Sequence, residues 1–369
     1  MHLPSPSPDS TRNSLWSAVR LWAGMAALGM AGCTGCERPS PHHVDPAEVE
    51  LPREIAFIDI AADVAALRGR PAPVDTVEAA AALAALTAPW GTFAPVYLED
   101  ILALGRVDSA GTYNEILRFA DFPDMAETFS AIDTTSRRAL PAAQTTIEAG
   151  LRRLAHHFPY RPIPDVVWIN SAFNYAIFPT PDHLAVGLDW FLGPQHEIVG
   201  QLAPEVFPAY MRARMDPKYI ASDALRGHVL VGFSKDFYKT DRCVDEMLYW
   251  GKCLFLLDQI APEIPDQDWL NWTDAQWEWA QVHEREVWLE LAPQDVLFDT
   301  QRREFSRWFV EGPFTRAGNI PQQSPDRLGC YMGWRIVSDY MAQHPEVTLA
   351  QLMEMTASEP FLKAYEPGN

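Results

Sequence analysis

The residues best placed for covalent chemistry are Met30-Ala31-Gly32-Cys33. Small side chains before a cysteine suit a signal peptidase, and the Cys33 thiol is the group that takes diacylglycerol; an ordinary leader needs no thiol at its cleavage point. Upstream stand a Ser/Pro-rich start, Arg12 and Arg20, and a short apolar run over residues 21–31. That run is about half of the roughly 20 residues a membrane-spanning helix requires, so it reads as a removable signal. Cys36, after Thr34-Gly35, is the alternative acceptor, and an unlipidated secretory signal is the other alternative. Thr34, where an Asp would favour inner-membrane retention, points to the outer membrane.

Other catalytic constellations are incomplete. A zinc peptidase uses His-Glu-x-x-His, with two imidazoles one helical turn apart on the metal and the Glu activating water. His196-Glu197 and His283-Glu284 carry the pair without the second histidine. Gly232-Phe-Ser234 lacks the second glycine of a nucleophile elbow, and no phosphate-binding glycine loop occurs. Carboxylates are so numerous that Asp245-Glu246 or Glu284/Glu286 cannot be told from solvated faces by spacing. The tryptophans Trp269, Trp272, Trp277, Trp279 and Trp288 read first as core, with a flat aromatic groove for glycan or peptide as the alternative.

The formal net charge of −20 excludes nucleic acid as a partner and gives no attraction to anionic lipid, so membrane attachment must come from the anchor. Cys243, Cys253 and Cys330 show no metal-type spacing and read as small buried thiols. Cys243 and Cys253 lie on one expected helix, about 15 Å apart along its axis, too far for a disulfide.

The elements that must position these residues follow from pattern. Residues 1–32 are the expected signal peptide and 33–52, rich in Pro and polar residues, a lipidated flexible tether in which His42 and His43 are solvated. Residues 53–369 form one expected globular domain of α+β class, predominantly α-helical with a small β-sheet. Strands are expected at 55–60, 166–170 and 183–188, the last two pairing as neighbours across a turn near Pro179 and Pro181. Helices are expected over 75–88, around 93–104, and through most of 196–369. Thr273-Asp-Ala-Gln276 and Thr348-Leu-Ala-Gln351 are capping boxes, and Ser324-Pro325 marks a third helix start. Gly329 and Gly333, four apart on that third helix, suit close backbone packing.

Four segments carry a resemblance to a known family: Gly187-Leu-Asp-Trp-Phe-Leu-Gly193; Glu246-Met-Leu-Tyr-Trp-Gly-Lys252 with Leu257-Asp258; Thr273-Asp-Ala-Gln-Trp277 with Trp288; and Ser324-Pro-Asp-Arg-Leu-Gly-Cys-Tyr-Met-Gly-Trp-Arg-Ile-Val337 with Tyr340-Met341. Their order and spacing resemble the "GLDxxLG", "MxYxGK" and "GWxIVxxYM" patterns of the gliding-motility lipoprotein GldB family of Bacteroidota, over residues 85–367 and most strongly after 182. The residues on those patterns are Asp189, Gly193, Gly251, Lys252, Gly333 and Trp334. The resemblance implies a non-catalytic envelope accessory of gliding motility and its associated secretion machinery, without a cofactor, acting by holding protein partners. It also implies a more distant, zincin-like fold in which Glu246 stands at the third-ligand position. In that comparison His228, in Gly227-His228-Val-Leu-Val-Gly-Phe, is the one nearby histidine. A membrane-tethered metal-dependent hydrolase using His228, Glu246 and a distant histidine such as His183 is therefore the alternative reading. Structural roles are expected for Gly251 and Lys252, the lysine pairing with a buried carboxylate such as Asp258 or Asp189.

Overall fold

The computed structural model describes residues 40–234 and 241–368; the signal segment, Cys33, Thr34 and Cys36 lie outside the described residues. Helices surround one small sheet of four strands: β1 (Phe57–Asp59), β2 (Asp165–Ile169), β3 (Ile177–Pro179) and β4 (His183–Gly187). The order is β1-β2-β4-β3, with β1, β2 and β4 parallel and β3 antiparallel at the edge. Strands β2 and β4 are unbroken apolar runs, as expected of parallel strands covered on both faces, and Val166, Val167, Leu184 and Val186 are wholly buried. They are neighbours as their sequences predict. The strand expected over 55–60 is cut short because the Asp59 carboxylate accepts from the Ala62 amide and opens a helix at Ile60.

The described α-helices of six or more residues are α1 (Ile60–Ala65), α2 (Thr76–Thr87), α3 (Gly111–Asp121), α4 (Pro123–Thr134), α5 (Ser136–His157), α6 (Ile220–Gly232), α7 (Cys243–Ile260), α8 (Asp274–Val282), α9 (Glu284–Leu291), α10 (Leu328–Gln343), α11 (Leu349–Glu354) and α12 (Glu359–Ala364). Helices α1 to α5 form the crossover that a parallel β1–β2 pair requires. Helix α5 packs on α6, and α6 lies against β3 and β4. The largest helical contact is between α7 and α10. There a carbon added at Gly251 would stand 2.1 Å from the Gly333 carbonyl oxygen, so the two backbones touch. Gly329 serves a different neighbour, since a carbon there would meet the Phe309 ring at 2.5 Å.

Both capping boxes are present. The Gln276 amide donates to the Thr273 hydroxyl at 3.2 Å while the Thr273 amide donates to the Gln276 side chain at 2.9 Å, and Thr348 with Gln351 repeats the arrangement. The third start differs. Helix α10 begins at Leu328 rather than after Ser324, because Arg327 is left-handed (φ 55°) and cannot sit in a first helical turn. Cys243, Cys253 and Cys330 are free, buried thiols.

The stretch expected to be a free tether lies, from Ser40 onward, against α5 and α7. The Ser40 hydroxyl donates to Gln259, the His42 ring meets Phe255 edge-on at 6.3 Å, and Arg153 donates to the carbonyls of Val44 and Ile260. His42 is therefore buried, not solvated. No single helix among the described residues is long and apolar enough to cross a membrane.

Candidate functional site

A cavity of about 370 Å³ opens beneath edge strand β3, between that strand and α6. Its rim begins with the turn after β2. Ala172 (φ 53°) and Phe173 (φ 60°) are both left-handed, a strained pairing for residues with side chains. Asp189 holds it: the buried carboxylate accepts from the Ser171 amide at 2.9 Å, the Ser171 hydroxyl at 3.0 Å and the Phe173 amide at 2.5 Å. Burial pushes Asp189 up to about 6 against the downward pull of those hydrogen bonds. Two residues before it, Gly187 leaves space for the Tyr175 carbonyl, which would be 2.2 Å from an added carbon. The Gly187-Leu-Asp189 segment thus fixes the loop that delivers β3.

The opposite wall is a charged network drawn from five separate stretches of chain. On α6, Asp223 pairs with Arg226 at 2.7 Å and accepts from the Asn271 side-chain amide at 2.9 Å. Arg226 also donates to the Trp269 carbonyl and the Asn271 side-chain oxygen, both at 2.7 Å. Asn271 is left-handed (φ 50°), a conformation its short polar side chain tolerates. Asp326, wholly buried, accepts from Arg214 at 2.9 Å, Trp272 Nε1 at 3.0 Å and the Gly312 amide at 2.9 Å. Arg327 donates to the Leu270 carbonyl and to Glu311. Burial raises Asp223 and works upward on Asp326, but Arg327 and Arg214 outweigh it and hold Asp326 below its ordinary value. Glu311 is lowered chiefly by Arg327. Three guanidiniums thus face three carboxylates, and none of those carboxylates is left without a cationic partner.

The residues expected to carry chemistry lie elsewhere and apart. His228 lines a second hollow of about 340 Å³ with Arg161, Pro179 and Phe233, and burial, aided by the Arg161 charge, lowers it to about 4. Glu246, at the start of α7, pairs with Arg302 at 3.1 Å; burial raises it and Arg302 opposes. His183 packs on the Phe93 ring, 5.2 Å between centroids. No group of three or more His, Cys, Asp or Glu among the described residues is placed to hold a metal ion. Lys252 donates to the Met353 and Met355 carbonyls at the end of α11. Its expected partners are bound otherwise, Asp189 by Ser171 and Phe173, and Asp258 by Gln259.

Trp269 and Trp272 are core residues, 1% and 0% exposed, so they cannot line a groove. Trp277 lies against Tyr331 and Trp334, Trp279 stacks on His283 at 4.2 Å, and Trp288 meets Tyr365 edge-on. Gly193 is left-handed (φ 97°) and its amide donates to the Met215 carbonyl, closing the turn next to the cavity. The network residues Arg214, Asp223, Arg226, Asn271 and Glu311 escaped sequence reasoning. Asp326 and Arg327 lay within a quoted segment but were read only as a helix start.

No curated protein and no solved structure matches the chain, and the more distant likeness to zincin folds has no support from these comparisons. The family described as gliding motility protein GldB matches residues 52–367, which include the Asp189 clamp, the charged network and the Gly251–Gly333 contact. With nearly the whole described domain matched, the chain belongs to the gliding motility protein GldB family.

Proposed function

We propose that this protein is a cell-envelope lipoprotein, anchored through Cys33 to the outer membrane, that serves gliding motility and its associated secretion without catalysing a reaction. One observation carries the non-catalytic part. A carboxylate that works as an acid, base or metal ligand must be free to meet a proton or a cation. Asp223 and Glu311 in the cleft wall, and the buried Asp326 of the same network, are each held by an arginine. Met30-Ala31-Gly32-Cys33 supports the anchor, and the family supports the process. The protein then works by holding envelope partners.

The test is genetic. Deletion is expected to abolish spreading and secretion, a Cys33→Ser copy to fail to restore them, and a His228→Ala copy to restore them fully. A deletion strain that spreads and secretes normally overturns the motility reading. A folded His228→Ala protein that fails to restore either overturns the non-catalytic one.

A further inference from the structure

We infer that the cleft beneath β3 binds an extended, uncharged stretch of peptide, which adds to the sheet as a fifth strand. The inference rests on the reading of this chain as a protein that holds partners, and it names the chemistry of what is held.

Strand β3 is an edge, with β4 on one side only. The Gly187 amide donates to the Ala176 carbonyl at 2.8 Å and the Thr180 amide to the His183 carbonyl at 2.7 Å. In an antiparallel ladder such pairs alternate, so the amide and carbonyl of Ile177, lying between them, point away from β4. Pro179, the next outward position, has no amide to leave unpaired. The backbone of Ile177 has no hydrogen-bond partner among the described residues. One residue of an incoming strand could exchange both bonds with it, the mode in which backbone contacts provide affinity and flanking pockets choose side chains.

The cavity provides those pockets. Ile177, Tyr175, Trp190, Met211 and Met215 line it, and its volume falls within the range of about 300–1,000 Å³ usual for binding clefts. Methionine adapts its shape to varied apolar side chains, and Tyr175, 40% exposed, presents a ring at the mouth. Two donors in the walls lack a hydrogen-bonded acceptor: Trp190 Nε1 and one guanidinium nitrogen of Arg214, the latter 3.9 Å from Glu311. The three arginines and three carboxylates already balance, so a charged ligand would leave an uncompensated charge beside them, whereas a neutral backbone would not.

The test uses the full chain purified in detergent and a pool of C-amidated octapeptides of random Ala, Val, Ser and Thr sequence, fluorescein-labelled at the N-terminus. A saturable rise in fluorescence polarisation is expected. The same pool methylated at every backbone amide should lose that binding, because the protein is unchanged while the incoming strand can no longer donate from its backbone or lie flat along the edge. Tyr175→Ala, which removes an exposed ring lining the cavity, should weaken binding without lowering the melting temperature. Absence of saturable binding overturns the inference, as does equal binding of the methylated pool. These readouts are separate from cell spreading: a deletion strain that spreads normally refutes the motility reading, whatever the peptides do.

Discussion

Gly251 and Gly333 hold α7 and α10 in direct backbone contact. A carbon at Gly251 would lie 2.1 Å from the Gly333 carbonyl oxygen, and one at Gly333 would lie 1.9 Å from the Met247 carbonyl oxygen. Backbone atoms cannot swing aside as a side-chain end can. Alanine normally gains up to about 1 kcal/mol over glycine in a helix, but here the helices would have to separate. Gly251→Ala and Gly333→Ala should each destabilise by about 3 kcal/mol or more, at the upper end of overpacking costs. Gly200, in the helix Glu197–Gln201, has open space around it, so Gly200→Ala should be neutral or mildly stabilising. Urea midpoints of the three variants check this, and a tolerated Gly333→Ala would refute the contact.

Asp189 makes stability fall as pH rises across one window. Its folded value is about 6, against 3.8 for the free side chain, because burial penalises the charge. Between those values the folded state binds more protons than the unfolded state, so stability declines as pH climbs from about 3.8 to about 6 and is level above that. The size is roughly 2–3 kcal/mol. Asp189→Asn should flatten that limb in denaturant titrations from pH 3.5 to 7. It should also weaken the turn at Ala172 and Phe173, since an amide offers one acceptor where the carboxylate offered two. An unchanged pH profile would show that Asp189 does not titrate there.

The contrast between the capping boxes and the cleft shows what the sequence could reveal. Thr273 with Gln276 and Thr348 with Gln351 are local devices, three residues apart, and their chemistry is complete within one turn. Strands β2 and β4 were equally legible as unbroken apolar runs. Strand β3 was not, because three residues ending in proline make a strand only once β4 is beside them. The network joins Arg214, Asp223, Asn271, Glu311 and Asp326 across more than a hundred positions, with no spacing rule to connect them. The same network explains the misplaced start of α10, since Asp326 and Arg327 are drawn into it and leave the helix to begin at Leu328.

Asp326 should be the most sensitive position in that network. It is wholly buried between Arg214 and Arg327 and also takes the Trp272 indole and the Gly312 amide. Asp326→Ala leaves two guanidiniums without their shared anion, a change that costs about 3–5 kcal/mol in buried ion pairs. Asp326 and Glu311 are both held below their ordinary values. Their contribution is therefore present above about pH 4.5 and is lost as pH falls through the folded values, the opposite sign to Asp189. Thermal melts at pH 7 and pH 2 should show the wild type losing more stability than the variant on acidification, because only the wild type carries Asp326 to be protonated. A variant that melts like the wild type at pH 7 would show the pair contributes nothing.

Glu284 gathers the end of the chain. Its buried carboxylate accepts from the Tyr331 hydroxyl at 3.0 Å, the Tyr365 hydroxyl at 2.9 Å, Arg335 at 2.9 Å and, more weakly, the Gly368 amide at 3.4 Å. The carboxylate thus ties α9 to α10 and to the segment after α12. A hydrogen bond to a charged group contributes about 1.5–3 kcal/mol, so Tyr365→Phe should lower stability by about that amount while leaving the Trp288 ring contact in place. Glu284→Ala should cost more, because two hydroxyls and the Arg335 charge then lose one acceptor together. Removing residues 365–369 should fall between the two, since Tyr331 and Arg335 keep Glu284 bound. Hydrogen exchange of the α10 amides under each change separates the cases. If truncation exposes α10 as much as Glu284→Ala does, then the tail, not the carboxylate, is what secures this end of the fold.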